Sequence, residues 1–263
     1  MLRSEPALSI TKGRQVALQQ RLDTRCLDVK MRLAWGLATL LFLLSLPVAL
    51  MTSNVRWLTI SDLSFYQRGY ERHYSYQSTG LSKQELDRAT REMITYFNSS
   101  EEFPRIQVTS GGRTFPLFDE RDSLHLRDVR DLIQLTYRIQ EVSLAYVLLF
   151  SVALLWRPNG KALSRLARPW LLGSVFTACL LVVVGAAMML DFDRLFLQFH
   201  LISFSNEFWM LNPATSYLIR MVPQGFFVDL ALWVAGLALV QAVVLASLAG
   251  GVLAWQRGKA ISP

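Results

Sequence analysis

Residues 33–51 of the chain read LAWGLATLLFLLSLPVALM, a run without a charged side chain. A helix needs about 20 predominantly apolar residues to cross the hydrocarbon core of a bilayer, and this run comes close to that length. Pro47 near its far end is tolerated, because membrane helices accommodate a local kink. The run therefore predicts a transmembrane helix.

Three further runs have the same apolar character. They extend from about Val142 to Trp156, from about Pro169 to Leu190 and from about Phe226 to Trp255. The composition agrees, since 52% of the residues are hydrophobic, 18% are charged and the mean hydropathy is +0.29. We therefore predict a mainly α-helical protein in which residues 33–255 form a domain of four transmembrane helices.

Basic residues cluster beside these runs. They are Arg3, Lys12, Arg14, Arg21, Arg25, Lys30 and Arg32 in the tail 1–32, Arg157, Lys161, Arg165 and Arg168 between runs two and three, and Arg257 and Lys259 in the tail 256–263. A net charge of +7 can indicate nucleic acid, but this placement is typical of the cytoplasmic loops of a membrane protein. We expect both tails to be cytoplasmic and no nucleic-acid partner.

The connection at 54–136 is long enough to fold by itself. Ser82-Lys-Gln-Glu85 matches a capping box at the start of a helix. Ile106–Val108 and Arg113–Leu117 flank a turn-forming Thr-Ser-Gly-Gly and predict a β-hairpin. After Asp119 the apolar residues regain helical spacing and lead into run two. We predict a small extracytoplasmic α+β portion here.

The connection at 191–225 reads DFDRLFLQFHLISFSNEFWMLNPATSYLIRMVPQG. It is too apolar for a free loop and too polar for a bilayer crossing, so it is predicted to lie at the membrane surface as a helical segment. Ionisable groups at that depth cost free energy and usually serve a function. We therefore expect the functional site here, on the same side as 54–136.

The chain has three histidines. His73 has no obvious partner and is expected at the surface. His125 has Asp122 and Asp128 three residues away on either side, so one of these carboxylates could hold a ring nitrogen and make the imidazole a general base. The alternative is a solvated histidine in a helix of mixed charge.

His200 lies between Phe199 and Leu201 in the surface segment. If the segment is helical, Ser203 and Glu207 share its face. Burial among apolar groups would lower its pKa and keep it neutral, as a base requires. The alternative is a core histidine satisfied by one neighbour.

No known nucleophile, phosphate-loop or metalloprotease motif occurs. Ser203 or Ser205 could accept an acyl group near His200, although neither lies in a recognisable elbow. A metal held by the histidines has no support from ligand spacing, and we expect no metal and no cofactor.

Three motifs together resemble one bacterial family of integral membrane proteins, the Lit family of lipoprotein intramolecular transacylases. They are FHLISFSNEFWMLNP at 199–213, LIRMVPQGFFVD at 218–229 and HLRDVRDL at 125–132. The resemblance covers about 33–255 and is specific only in the first two of these motifs. It implies an enzyme that moves the sn-2 acyl chain of a diacylglyceryl lipoprotein onto the α-amine of its N-terminal cysteine, leaving a lyso-form lipoprotein.

The resemblance also implies that His125 and His200 are catalytic, with the choice of base and acid left open. The supporting residues that we predict are Asp122, Asp128, Ser203, Asn206 and Glu207, and the predicted contacts to substrate and membrane lipids are Phe199, Phe204, Trp209 and Arg220. The aromatic residues could instead be simple membrane anchors, and Arg220 could instead pair with Glu207. Two other functions remain open, a non-catalytic lipid-binding or accessory protein and a serine-dependent lipid hydrolase.

Overall fold

The computed structural model describes residues 6–61, 63–156 and 162–261. Its helices are α1 (Pro6–Ser61), α2 (Leu63–Arg72), α3 (Ser75–Thr79), α4 (Lys83–Phe97), α5 (Glu120–Leu155), α6 (Ala162–Leu190), α7 (Phe192–Ser203), α8 (Tyr217–Met221) and α9 (Gln224–Ile261). Strands β1 (Gln107–Ser110) and β2 (Arg113–Pro116) pair antiparallel. The predicted positions Arg3, Arg157 and Lys161 lie outside the described residues, as do the side chains of most of the tail 1–32.

Four helices are long and apolar enough to cross a bilayer, which confirms the predicted architecture. They are Leu27–Ile60 within α1, all of α5 and α6, and Gln224–Lys259 within α9. They pack side by side, with α6 against α9 and α1 against α5. Helices α1 and α9 continue through parts of both predicted tails. At about 1.5 Å per residue, both helices are longer than the hydrocarbon core is thick.

Helix α5 is also longer than a bilayer crossing needs. Its 36 residues span about 54 Å, whereas the hydrocarbon core is about 30 Å thick. Charged side chains fill its first part, which reads ERDSLHLRDVRD at 120–131. This part projects beyond the hydrocarbon at the end of the bundle where α2, α3, α4 and the hairpin pack, the end that we call the insert end.

The insert is built as predicted, with a shorter turn. Ser82 caps α4 by accepting a hydrogen bond from the Glu85 backbone at 3.2 Å, and Asp119 caps α5. In the hairpin, Gly111 and Gly112 both have positive φ, 59° and 75°, so a two-residue turn replaces the predicted four-residue connection. Glu85 also accepts from the Thr109 backbone at 2.8 Å, which fastens the hairpin to α4.

One hydrophobic core joins the insert to the membrane helices. Tyr70 and Leu86 of the insert are fully buried together with Met221 of α8 and Phe226 of α9. Phe226 contacts the rings of Phe65, Tyr66 and Tyr70. The insert is therefore fixed on the end of the bundle, and α8 packs against its helix α3.

Candidate active site

The structure brings His125 and His200 together at the insert end. His125 lies on the projecting part of α5 and His200 near the end of α7, and their ring centroids are 6.1 Å apart. Both are buried, with 8% and 7% of their surfaces exposed. A gap of this size lets both imidazoles contact one small functional group.

Aromatic side chains surround the pair. The His200 ring lies 4.3 Å from that of Phe196, 5.0 Å from Trp209 and 5.6 Å from Phe204. Phe204 also lies edge-on to His125 at 5.2 Å. Three of the predicted aromatic residues, including Phe199 at 5.3 Å, therefore contact His200. Phe196 was missed, although its position four residues before His200 on a helix was a usable signal.

This apolar environment keeps both imidazoles neutral. Burial, together with the smaller effect of the nearby His200, lowers the pKa of His125 to about 4 against the opposing effect of Asp128. Burial also lowers the pKa of His200, opposed by its hydrogen bond to the Phe196 carbonyl. A neutral imidazole can accept a proton, which a charged one cannot.

The tautomer of His200 is fixed by the backbone of its own helix. Its Nδ1 lies 2.8 Å from the Phe196 carbonyl oxygen. Because a carbonyl oxygen only accepts, Nδ1 must carry the hydrogen, and Nε2 of the neutral ring is left as an acceptor. His200 therefore presents a lone pair at Nε2, the state that a general base needs.

His125 has no such fixation. Its buried Nδ1 has no hydrogen-bond partner among the described residues. Asp122 accepts from the Ser216 hydroxyl at 2.6 Å, and Asp128 accepts from the Asn206 amide at 2.8 Å. Among the described residues neither carboxylate hydrogen-bonds to His125, which corrects the expectation that one of them holds it. One oxygen of each accepts from a residue of 204–216 instead.

Three hydrogen bonds fasten the connection 204–216 to the outer part of α5. Two are those of Asp122 and Asp128, and in the third Arg121 donates to the Glu207 carbonyl oxygen at 2.6 Å. This connection carries Trp209, which contacts His200. The predicted acids thus hold the connection that carries Trp209. Arg121 and Ser216 were missed because nothing in the local sequence indicates their partners.

The predicted helical face of His200 is only partly formed. Helix α7 ends at Ser203, so Glu207 does not fall on the His200 face, and its side chain is exposed. Among the described residues, neither Ser203 nor Ser205 makes a hydrogen bond to an imidazole. A serine nucleophile activated by His200 therefore has no geometric support.

Arg220 is held by the backbone. Its guanidinium donates to the carbonyl oxygens of Ser216, Thr215 and Ser78 at 3.2, 3.4 and 3.5 Å and lies 4.0 Å from the Tyr217 ring centroid. These contacts replace the alternative ion pair with Glu207. Arg220 joins α8 to the insert, and its predicted contact with substrate remains a prediction.

His73 is not the free surface histidine that we expected. Its Nε2 lies 3.0 Å from an oxygen of Asp229, and Arg72 donates to the other oxygen of the same carboxylate at 2.9 Å. The partner lies 156 residues away in sequence, so local pattern could not reveal it. His73 serves to join the insert to α9.

No group of three or more His, Cys, Asp and Glu side chains that could hold a metal ion occurs in the described part of the chain. The described site brings together two neutral imidazoles in an aromatic environment, with Nε2 of His200 available as a proton acceptor.

The model of one protein family matches this chain. It is the family described as lipoprotein intramolecular transacylase Lit, and the match covers residues 40–227, which is more than half of the chain and includes both histidines. The chain belongs to the Lit family. No curated protein matches it by sequence.

Solved structures of Lit from Bacillus cereus share the fold. One is 19% identical, with a TM-score of 0.69 over 84% of this chain and 97% of that chain. Two variants of the same protein with a histidine substitution are 18% and 17% identical, each with a TM-score of 0.66, covering 94% and 92% of this chain and 99% of theirs. These structures therefore share the fold of this chain, and the family match makes the chain an acyltransferase of the Lit family.

Proposed function

We propose that this Lit family member transfers the sn-2 acyl chain of a diacylglyceryl lipoprotein to the α-amine of its N-terminal cysteine, giving the lyso-form. The observation that carries the proposal is the contact between two buried, neutral imidazoles, one of which has a fixed acceptor nitrogen. In the described part of the chain neither Ser203 nor Ser205 bonds to an imidazole, and this reaction needs no serine nucleophile, because the substrate carries both the amine and the ester. A tethered pair of this kind gains an effective molarity of up to about 10⁵–10⁸ M when it is well oriented.

His200 is the general base in this mechanism. The substrate amine attacks the sn-2 ester carbonyl carbon, and its proton passes to Nε2 of His200. The carbon–oxygen bond to glycerol then breaks, and the same Nε2–H donates to the glycerol oxygen, which leaves as a hydroxyl. An amide forms, an ester is lost, and no water or other reactant is consumed.

His125 stabilises the oxyanion of the tetrahedral intermediate through a ring N–H. Because neither Asp122 nor Asp128 bonds to His125, either of its ring nitrogens can carry the hydrogen. The nitrogen nearer the substrate can therefore be the N–H donor. An N–H donor aimed at a developing oxyanion in a site shielded from water is typically worth about 2.7–4 kcal/mol. The sequence left open which histidine is the base, and this assignment gives that role to His200.

The acyl chains lie over the exposed face of α7. Leu197, Phe199, Leu201 and Ile202 are 44%, 50%, 55% and 83% exposed there, next to the aromatic residues around His200. An apolar surface at the end of a membrane helix bundle is suited to lipid chains. We place this face and the two histidines on the extracytoplasmic side, and both termini in the cytoplasm, because the basic tails lie at the opposite end of the bundle.

The test is a crossover experiment on the N-terminal lipopeptide. Intramolecular transfer does not change the mass, so tandem mass spectrometry must locate the acyl group on nitrogen instead of glycerol. Two synthetic lipoproteins, one with isotope in its acyl chains and in its peptide and one with neither, are incubated together with the purified protein. We expect N-acyl lyso-products that contain both labels or neither. Products with a single label would show intermolecular transfer, and free fatty acid would show the alternative hydrolase.

The pH dependence follows from the lowered pKa values. With the pKa of His125 near 4 and that of His200 below its usual value of about 6.5, both imidazoles are mainly neutral above pH 6.5. Only the substrate α-amine, with a pKa of about 7.7–8.0, must still lose a proton. The logarithm of kcat/KM should therefore rise with a slope of one up to about pH 8. A slope of two below pH 6.5 would mean that a histidine with an ordinary pKa also ionises.

The hydrogen bond between Asp128 and Asn206 should position the connection that carries Trp209. Asn206→Asp places two carboxylates face to face, and we expect about a tenfold loss of activity because a charge-assisted bond worth about 1.5–3 kcal/mol is lost. The exchange variant, Asp128→Asn with Asn206→Asp, restores a donor and an acceptor and should recover most of the rate. An exchange variant as slow as Asn206→Asp would show that the bond does not position the site.

A further inference from the structure

A cleft of about 630 Å³ lies beside the histidine pair, and nothing described so far uses it. Its walls come from the start of α5 and from the connection 204–216, with the lining residues Asp119, Glu120, Arg121, Leu124, Glu207 and Phe208. Leu124 directly precedes His125, and Phe208 directly precedes Trp209, which contacts His200. The cleft therefore begins one residue along the chain from His125 and one residue from Trp209, the neighbour of His200.

We propose that this cleft binds the first residues of the lipoprotein polypeptide after the lipid-modified cysteine and disfavours acidic residues there. The inference rests on the proposed function, because it concerns the peptide of that same substrate.

The geometry of the substrate supports this assignment. The reacting amine belongs to the first residue, and an extended chain advances about 3.3–3.6 Å per residue. Residues two to four must therefore lie within about 7–14 Å of the imidazoles. A polypeptide there needs a polar surface, and the apolar face of α7 is unsuited to it.

The charge of the lining supports the specificity. Three of its side chains are carboxylates and one is a guanidinium. The carboxylate of Asp119 already accepts from the Asp122 backbone at 2.7 Å, and Arg121 is engaged with the Glu207 carbonyl. Glu120 and Glu207 are exposed. Their carboxylates repel an acidic side chain of the peptide and attract a lysine side chain.

The test compares two diacylglyceryl lipopeptides that differ only at positions two and three, with two lysines or two glutamates. The full chain is placed in nanodiscs of zwitterionic lipid, so that the membrane surface does not select by charge. We expect kcat/KM to favour the lysine peptide by about five- to tenfold at low ionic strength, and the preference to shrink as salt screens it.

The decisive variant is Glu120→Lys, with Glu71→Lys as the matched control. Glu71 is an exposed acid on α2 that pairs with Lys83 and does not line the cleft, so both variants change the net charge equally. Glu120→Lys should reduce the preference to twofold or less, whereas Glu71→Lys should leave it unchanged. Equal kcat/KM for both peptides with the unaltered protein, or equal shifts in the two variants, would overturn the inference while the proposed function stands. If neither peptide is converted, the proposed function fails and the inference falls with it.

Discussion

Replacing His200 with asparagine should slow acyl transfer by about a hundred- to ten-thousandfold, the usual contribution of a positioned general base. Asparagine suits the test because its amide can still donate to the Phe196 carbonyl oxygen from the position of Nδ1. It provides nothing in the place of Nε2. The variant therefore removes the acceptor of the amine proton and keeps the hydrogen bond that orients residue 200 on α7.

The measurement is single-turnover formation of N-acyl lyso-lipopeptide, with thermal unfolding of the same preparation as a control for folding. We expect the melting temperature to stay within a few degrees while the rate falls. His200→Ala breaks the bond to Phe196 as well, so it should be slow and also less stable. Activity of His200→Asn within about fivefold of the unaltered protein would remove His200 from the base role.

Replacing His125 should have the next largest effect, a loss of about a hundred- to a thousandfold, as for the removal of one oxyanion donor. His125→Phe keeps an aromatic ring against Phe204 but has no N–H. Since the oxyanion forms only in the reaction, kcat should fall while KM changes little. Combined with His200→Asn, the loss should be far less than the product of the two, because both residues act in one site.

His73→Gln is the matched control for this prediction. His73 is the third histidine of the chain and lies outside the His125–His200 pair. Glutamine at this position can keep a hydrogen bond to Asp229. We expect this variant to retain activity within about threefold. If it were as slow as His125→Phe, the loss in both would reflect damage to the fold, and the oxyanion role of His125 would have no support.

Much of this molecule could be predicted from local patterns. The four spans follow from apolar runs, and the caps at Ser82 and Asp119 and the hairpin follow from short-range rules, because each depends on residues a few positions apart. The burial of His200 among apolar side chains also follows from its neighbours Phe199 and Leu201. The choice of His125 and His200 came instead from the motifs of a resembling family.

The errors have one physical origin. Asp122 and Asp128 are near His125 along the helix, yet they bond to Ser216 and Asn206, 94 and 78 residues away. A carboxylate takes whichever donor the packed fold brings to it, and helix spacing only limits what it can reach. The end of α7 at Ser203 is a similar case, since the residues that follow are drawn to α5.

The sequence by itself determined a four-helix membrane protein with a polar, aromatic segment at one surface, because the cost of placing side chains in hydrocarbon depends mainly on each residue and its near neighbours. Only the tertiary structure decided that two histidines 75 positions apart share one buried site, that the tautomer of one is fixed, and that the acids beside the other bond to Ser216 and Asn206. Hydrogen bonds and burial at that site depend on distances between separate elements, and these exist only after the chain has packed.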